Sequence, residues 1–184
     1  NINNPKNYRT RSSILVSKEN TNILVDTAPE LRQHLLDAKV SNVECIFFTH
    51  HHSDHVAGIN DVRSLSLANN KIIPSFMPNE MKDLMKNKYE YIFLGEKMYE
   101  PFMTMEEFNS EFKINNIDVS TFAHNHGDID CQTYIFKDEK HKFAYSTDIK
   151  KFYNDDIKKL LNLDLWIVGL LRYDEHPAHA GFET

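Results

Sequence analysis

The sequence is short of several features, and each shortage narrows what the protein can be. It has two cysteines in 184 residues, Cys45 and Cys131, far apart and each in a strand-like context. That excludes a disulfide-stapled scaffold and predicts two buried free thiols in a cytoplasmic protein. No apolar run approaches the roughly 20 residues that span a bilayer, so no membrane partner is expected. The start is polar and Asn-rich, without the apolar stretch of a secretory leader. There is no basic excess either: 21 Lys and Arg stand against 27 Asp and Glu, a net charge of −6. A general electrostatic footprint for nucleic acid is therefore missing, and such a partner is not favoured. Apolar residues make up 41% of the chain, ordinary for a folded core and too many for a disordered one. The length suits one domain.

What the chain does have is histidine in one place. The run Thr49-His50-His51-His52-Ser53-Asp54-His55-Val56-Ala57-Gly58 follows Cys45-Ile46-Phe47-Phe48, which reads as a short buried strand. Imidazole nitrogen and carboxylate oxygen are ligands for Zn, Mn or Fe. His50 and His52 lie two apart and can reach one ion from an extended turn, while Asp54 and His55 point to a second position nearby. Two metals roughly 3.5–4 Å apart are the usual device for hydrolysing phosphate esters. A His tag would not be preceded by a buried strand and followed by Val-Ala-Gly.

His50-x-His52-x-Asp54-His55 after a strand resembles the signature of the metallo-β-lactamase superfamily. Asn4 to Ser13, Ile23 to Pro29 and Leu170-Leu171-Arg172-Tyr173 are similar to one branch, the phosphoribosyl cyclic phosphodiesterase-like hydrolases, relatives of the tRNA 3′-end processing nucleases. The similarity runs over essentially the whole chain and is patchy between Phe76 and Lys113. It implies an α/β fold, a four-layer αββα sandwich with two sheets face to face and helices outside. It implies two divalent metal ions, Zn or Mn. His50, His52 and His126 would hold one; Asp54 and His55 the other; Asp148 would bridge. Asp26 would orient the ligands from behind, a role compatible with capping the helix that follows. Asp54 also counts among the catalytic residues, and His179 is the candidate general acid. By spacing alone His124 competes with His126, and His176 with His179.

The remaining elements follow from periodicity. Ser12 to Ser17 and Asn22 to Val25 read as two strands, Pro29 to Lys39 as an amphipathic helix, Val56 to Ala68 as a helix and Lys71 to Phe76 as a strand. Pro78 to Lys88 reads as a helix with Met81, Leu84 and Met85 on one core-filling face. Residues 89–112 give little signal: an insertion or lid, or, as favoured here, a plain packed loop. Phe112 to Phe122 reads as a strand pair around Asn115-Asn116, with a hairpin following over residues 133–146. Asp155 to Leu163 is expected to be a helix and Leu165 to Leu171 a buried strand.

Two departures from the resembled pattern matter. A further His ligand is expected beyond residue 184, and the chain begins at Asn1 rather than Met, so the single domain over 1–184 is expected to continue at both ends. The family also tends to have Asp where Gly169 stands. The function implied is hydrolysis of a small, cyclic phosphodiester by metal-activated water, with a homodimer an open arrangement. Hydrolysis of another ester, thioester or lactam, or a non-catalytic metal-binding role, is the alternative.

Overall fold

The structure is a computed structural model and describes residues 3–153, 155–171, 173–174 and 176–181. Arg172 of the family-like run 170–173, and Glu175 beside it, lie outside the described residues. Contacts group the chain into two compact units, Asn1–Glu106 and Glu107–Thr184, each built on its own five-stranded sheet.

In the first unit, β1 (Ile14–Lys18) and β2 (Thr21–Val25) form an antiparallel hairpin with Ile14 opposite Val25. The sheet then runs parallel through β3 (Cys45–Phe47), β4 (Ile73–Phe76) and β5 (Met103–Met105). Strands of a parallel sheet are covered on both faces, which is why Ile23-Leu24-Val25 and Cys45-Ile46-Phe47-Phe48 are apolar without alternation. The helices are α1 (Leu31–Asp37), α2 (Ser53–Val56), α3 (Val62–Asn69), α4 (Asn79–Lys88) and α5 (Glu90–Leu94). Leu24, Ile46 and Phe48 from the sheet side pack with Leu31, Leu65 and Met85 from α1, α3 and α4. Each such side chain removed from water contributes roughly 1.5–3 kcal/mol before entropy is counted.

The second unit is a meander: β6 (Glu111–Ile114), β7 (Ile117–His126), β8 (Ile129–Lys137) and β9 (Lys142–Ser146) are antiparallel, and β10 (Leu165–Val168) joins β9 in parallel. The β6–β7 turn is Asn115-Asn116, with Asn115 at φ 51°, a left-handed conformation that Asn tolerates. The β7–β8 turn comes directly after His126, where Gly127 takes φ 73°. Phe122, Ile135, Ala144 and Leu160 cluster on one sheet face.

Several expectations change. Residues 89–112 are not a plain loop: they supply α5 and β5, the outer strand of the first sheet. The helix expected from Val56 begins at Ser53, inside the histidine motif, and is interrupted by a 3-10 turn at Ile59–Asp61 before α3. Met81 and Met85 are core residues, but Leu84 is exposed. The helix expected over 155–163 is one 3-10 stretch, Asp156–Leu160, with i,i+3 ion pairs Asp155–Lys158 and Asp156–Lys159. The strand expected to be buried over 165–171 stops at Val168 and lies at a sheet edge, with Leu165, Trp166 and Ile167 at 55%, 37% and 38% exposure.

Candidate metal centre

The first unit places its ligand candidates by ending β3 in a buried corner. Phe48 and Thr49 carry the chain out of the strand, His50 is buried, and His52 stands just before α2, which holds Asp54 in its first turn and His55 in its last. His50 can offer a nitrogen within 4.8 Å of one on His52 and of one on His55. The ring centroids are 4.6 Å apart for His50–His52 and 4.3 Å for His50–His55. His55 is buried, whereas Asp54 is half-exposed, with its Oδ2 3.6 Å from His55 Nε2.

Asp26 lies beneath this cluster, fully buried at φ 62°. Its Oδ1 accepts from the Thr49 backbone N–H, and its Oδ2 from the Thr49 hydroxyl and from His55 Nδ1, all at 2.8 Å. It does not cap α1, whose N-cap is Glu30. Of the two roles expected for Asp26, only the orienting one is found.

These partners fix proton positions. The Thr49 hydroxyl spends its hydrogen on Asp26, so His50 Nδ1, 3.0 Å away, must donate to Thr49 Oγ1. His55 Nδ1 faces a carboxylate and likewise donates. In a neutral imidazole the lone pair then sits on Nε2, the arrangement of a ring prepared for a metal ion. One imidazole backed by a carboxylate and one by a hydroxyl, both with Nε2 lone pairs and joined by Asp54, form a set that fits a borderline divalent ion such as Zn or Mn.

In the second unit, His126 ends β7, and its Nδ1 donates to Ala178 O at 2.9 Å, giving the same tautomer. His124, two residues earlier, has the opposite one. Its Nε2 lies 2.9 Å from Thr147 O, a group that only accepts, so Nε2 carries the hydrogen, and its Nδ1 meets Thr133 Oγ1 at 3.0 Å. Burial pushes the His124 pKa down to about 4, against the Thr147 hydrogen bond, which works in the other direction. Both nitrogens are committed within the protein, so His124 is withdrawn from ligation and His126 is the better donor. Asp148 follows β9 at φ 50°. His179 Nδ1 is 3.6 Å from Asp148 Oδ1, and the His179 ring is 4.9 Å from that of His126. His176 is instead bound into its own turn, its Nδ1 accepting from Ala178 N at 3.2 Å. At Gly169, an added Cβ would touch Thr147 Cα and Asp148 N at 3.4 Å, so an Asp at that position would stand beside Asp148; this chain has none there.

Reasoning from the sequence missed Thr49 and Thr133, the hydroxyls that pair with Nδ1 of His50 and of His124. Thr49 stands directly before His50, a signal the sequence does offer, whereas Thr133 is nine residues from His124 and meets it only across the β7–β8 pairing. Both cysteines are free and buried, and burial, then the nearby Glu44 carboxylate, raises Cys45 to about 12, an inert thiol. No helix among the described residues is long and apolar enough to cross a membrane.

Two sheets in a mixed α/β chain, with histidines and aspartates at the ends of β2, β3, β7 and β9, define a metallo-β-lactamase fold. A solved diphosphatase of the PhnP family has that fold: it superposes with a TM-score of 0.87 at 24% identity, over 98% of this chain and 68% of that one. The chain belongs to the family described as the Beta-lactamase superfamily domain, whose model matches residues 21–184. It is 26% identical over 181 residues to an octanoyltransferase of Porphyromonas gingivalis, covering 95% of this chain and 35% of that protein. It is 28% identical over 138 residues to a ribonuclease Z of Saccharolobus islandicus, covering 73% of this chain and 45% of that protein. The chain thus spans less than half the length of these curated relatives.

Proposed function

We propose that the protein is a metal-dependent phosphodiesterase acting on a small, cyclic phosphodiester in the cytoplasm, with both units serving one metallo-β-lactamase domain. The observation that carries this reading is the shared tautomer of His50, His55 and His126, each donating from Nδ1 and so presenting Nε2. His50, His52 and His126 would hold one ion, Asp54 and His55 the other, and Asp148 would bridge. Two divalent ions, when bound, supply Lewis acidity and a water acidic enough to act as nucleophile near neutral pH. The protein's own part is orientation and proton handling. Asp26 fixes His55 directly and His50 through Thr49. Asp54, half-exposed, faces solvent and incoming substrate. His179, with Nδ1 turned toward Asp148, would protonate the departing oxygen from Nε2.

The PhnP-family diphosphatase and the ribonuclease Z support phosphoryl chemistry. A net charge of −6 favours a small diester over RNA, which needs many cationic contacts. A second reading, hydrolysis of an acyl compound such as a thioester, is favoured by the match to the octanoyltransferase.

The test is metal content by elemental analysis together with hydrolysis of bis(p-nitrophenyl) phosphate in added Mn or Zn. Two ions per chain, and turnover reduced at least a hundredfold by Asp54→Ala, is the expected result. Two ions with thioester but no diester hydrolysis would establish the acyl reading instead. Fewer than two ions and no turnover would leave a non-catalytic metal-binding member of the family.

A further inference from the structure

We propose that His124 is a positioning residue for Asp148, acting through the peptide bond that joins Thr147 to Asp148. The inference rests on the reading of Asp148 as a metal ligand and adds what holds that ligand in place.

Asp148 needs holding. Its φ of 50° lies in the left-handed region, which Asp tolerates better than most residues but still occupies at some cost, so the groups bonded to the preceding peptide help decide whether it stays there. The angle is set by the plane of the preceding peptide unit, and the oxygen of that unit is Thr147 O. Two buried groups aim at this oxygen: His124 Nε2–H at 2.9 Å and the Cys131 thiol at 3.4 Å. The thiol is a weak donor, so the imidazole is the principal restraint. Rotating the peptide to bring Asp148 to an ordinary φ would strand a buried Nε2–H.

The restraint is directional because of what stands behind the ring. With the hydrogen on Nε2, Nδ1 of the neutral ring accepts from Thr133 Oγ1 at 3.0 Å. The Thr133 hydroxyl has then spent its hydrogen, so Ser146 Oγ, 2.9 Å away, donates to it. Ser146 in turn accepts from Trp166 Nε1–H at 3.0 Å. Trp166 Nε1 can only donate and Thr147 O can only accept, so the two fixed ends set the sense of every bond between them. The chain crosses β10, β9, β8 and β7 in order and ends on the residue before Asp148. Such one-way chains polarise successive bonds in the same sense.

The experiment compares His124→Leu, which removes the donor, with His124→Gln, whose amide can place an N–H near the position of Nε2. Three readouts are taken. Long-range 1H–15N NMR of the metal-free protein gives the His124 tautomer. Backbone chemical shifts of Asp148 report its φ. Titration with Mn against a competing chelator gives stoichiometry and affinity. The expected result is an Nε2–H tautomer in the wild type. His124→Leu shifts Asp148 out of the left-handed range and weakens binding of at least one ion by about 10–100-fold, the usual effect of losing a ligand's supporting partner. His124→Gln restores both. An Nδ1–H tautomer would overturn the proposal, and so would unchanged Asp148 shifts and Mn affinity in His124→Leu. Equal loss in both variants would also overturn it, since a purely structural role is not rescued by Gln. If His124→Leu does not fold, Thr133→Val takes its place; it leaves Nδ1 without its donor and is expected to shift both readouts in the same direction, and no shift overturns the proposal. Were the wild type to bind no metal, the proposed function would fail, while the tautomer and the Asp148 shifts would still decide the role of His124.

Discussion

Asp26 shows how much of a metal centre is decided by residues that touch no metal. Removing a carboxylate from water is costly, and here the cost is met by three donors on its two oxygens, two from Thr49 and one from His55. Asp26→Asn keeps the shape and replaces one acceptor by an NH2 group. If that group faces His55, the ring must present its lone pair there, and the hydrogen moves to Nε2, the atom a metal needs bare. The expected result is metal affinity lower by about 10–100-fold and stability lower by about 1–3 kcal/mol in the metal-free protein. Chelator competition and urea denaturation measure the two, and wild-type metal affinity would show that Asp26 does not set the tautomer. At this scale the sequence was informative about residue type and spacing. His50, His52, Asp54 and His55 stand out because so many donors in so short a run have no structural use. It could not separate His124 from His126: two residues apart on a strand, they face the same way, and only their hydrogen-bond partners distinguish them.

At the scale of elements, the short helix α2 works as a clamp. Thr27 N–H donates to His55 O, the Thr27 hydroxyl donates to Val56 O, and Gly58 N–H donates back to Thr27 O. The last two residues of α2 are thus fastened to the chain that follows β2. The approach is close enough that a Cβ at Gly58 would lie 2.0 Å from the Ala28 carbonyl oxygen, against backbone that cannot swing aside. Gly58→Ala is therefore expected to destabilise by about 1–3 kcal/mol or more, read from the urea midpoint, and to displace His55 enough to lower metal affinity. An unchanged midpoint would mean that the clamp has slack. The elements legible in the sequence were those with unambiguous local chemistry: the apolar runs of β2 and β3 and the Asn115-Asn116 turn, whereas α1, expected from Pro29, begins at Leu31 after an N-cap at Glu30. The illegible ones had misleading chemistry. Leu165-Trp166-Ile167-Val168 is apolar at every position, which fits a strand covered on both faces, yet it is the outer strand of its sheet. Met103–Met105 is three residues of middling strand preference and is β only because β4 pairs with it. Residues 156–160 favour helix by composition, but Asp155 and Asp156 spend their charges on Lys158 and Lys159 within a single tight turn.

For the whole molecule, the group with the clearest consequence for stability is again His124. Its folded pKa of about 4 lies below the ordinary histidine value of 6.5, because burial disfavours the imidazolium. The unfolded chain therefore takes up a proton as pH falls through 6.5, while the folded chain resists until pH approaches 4. Stability tied to this residue is fully present above pH 6.5, declines between 6.5 and 4, and changes no further below that. At pH 5 the loss relative to pH 7 should be about 2 kcal/mol. The informative quantity is the difference between wild type and His124→Gln, both with chelator present to exclude metal. Urea denaturation at pH 7 and pH 5 should show the wild type losing about 2 kcal/mol more than the variant. An equal loss would mean that His124 is protonated in the folded protein at pH 5. Its ring would then donate from both nitrogens at that pH, and the one-way chain from Trp166 to Thr147 would hold only at higher pH, where the ring is neutral.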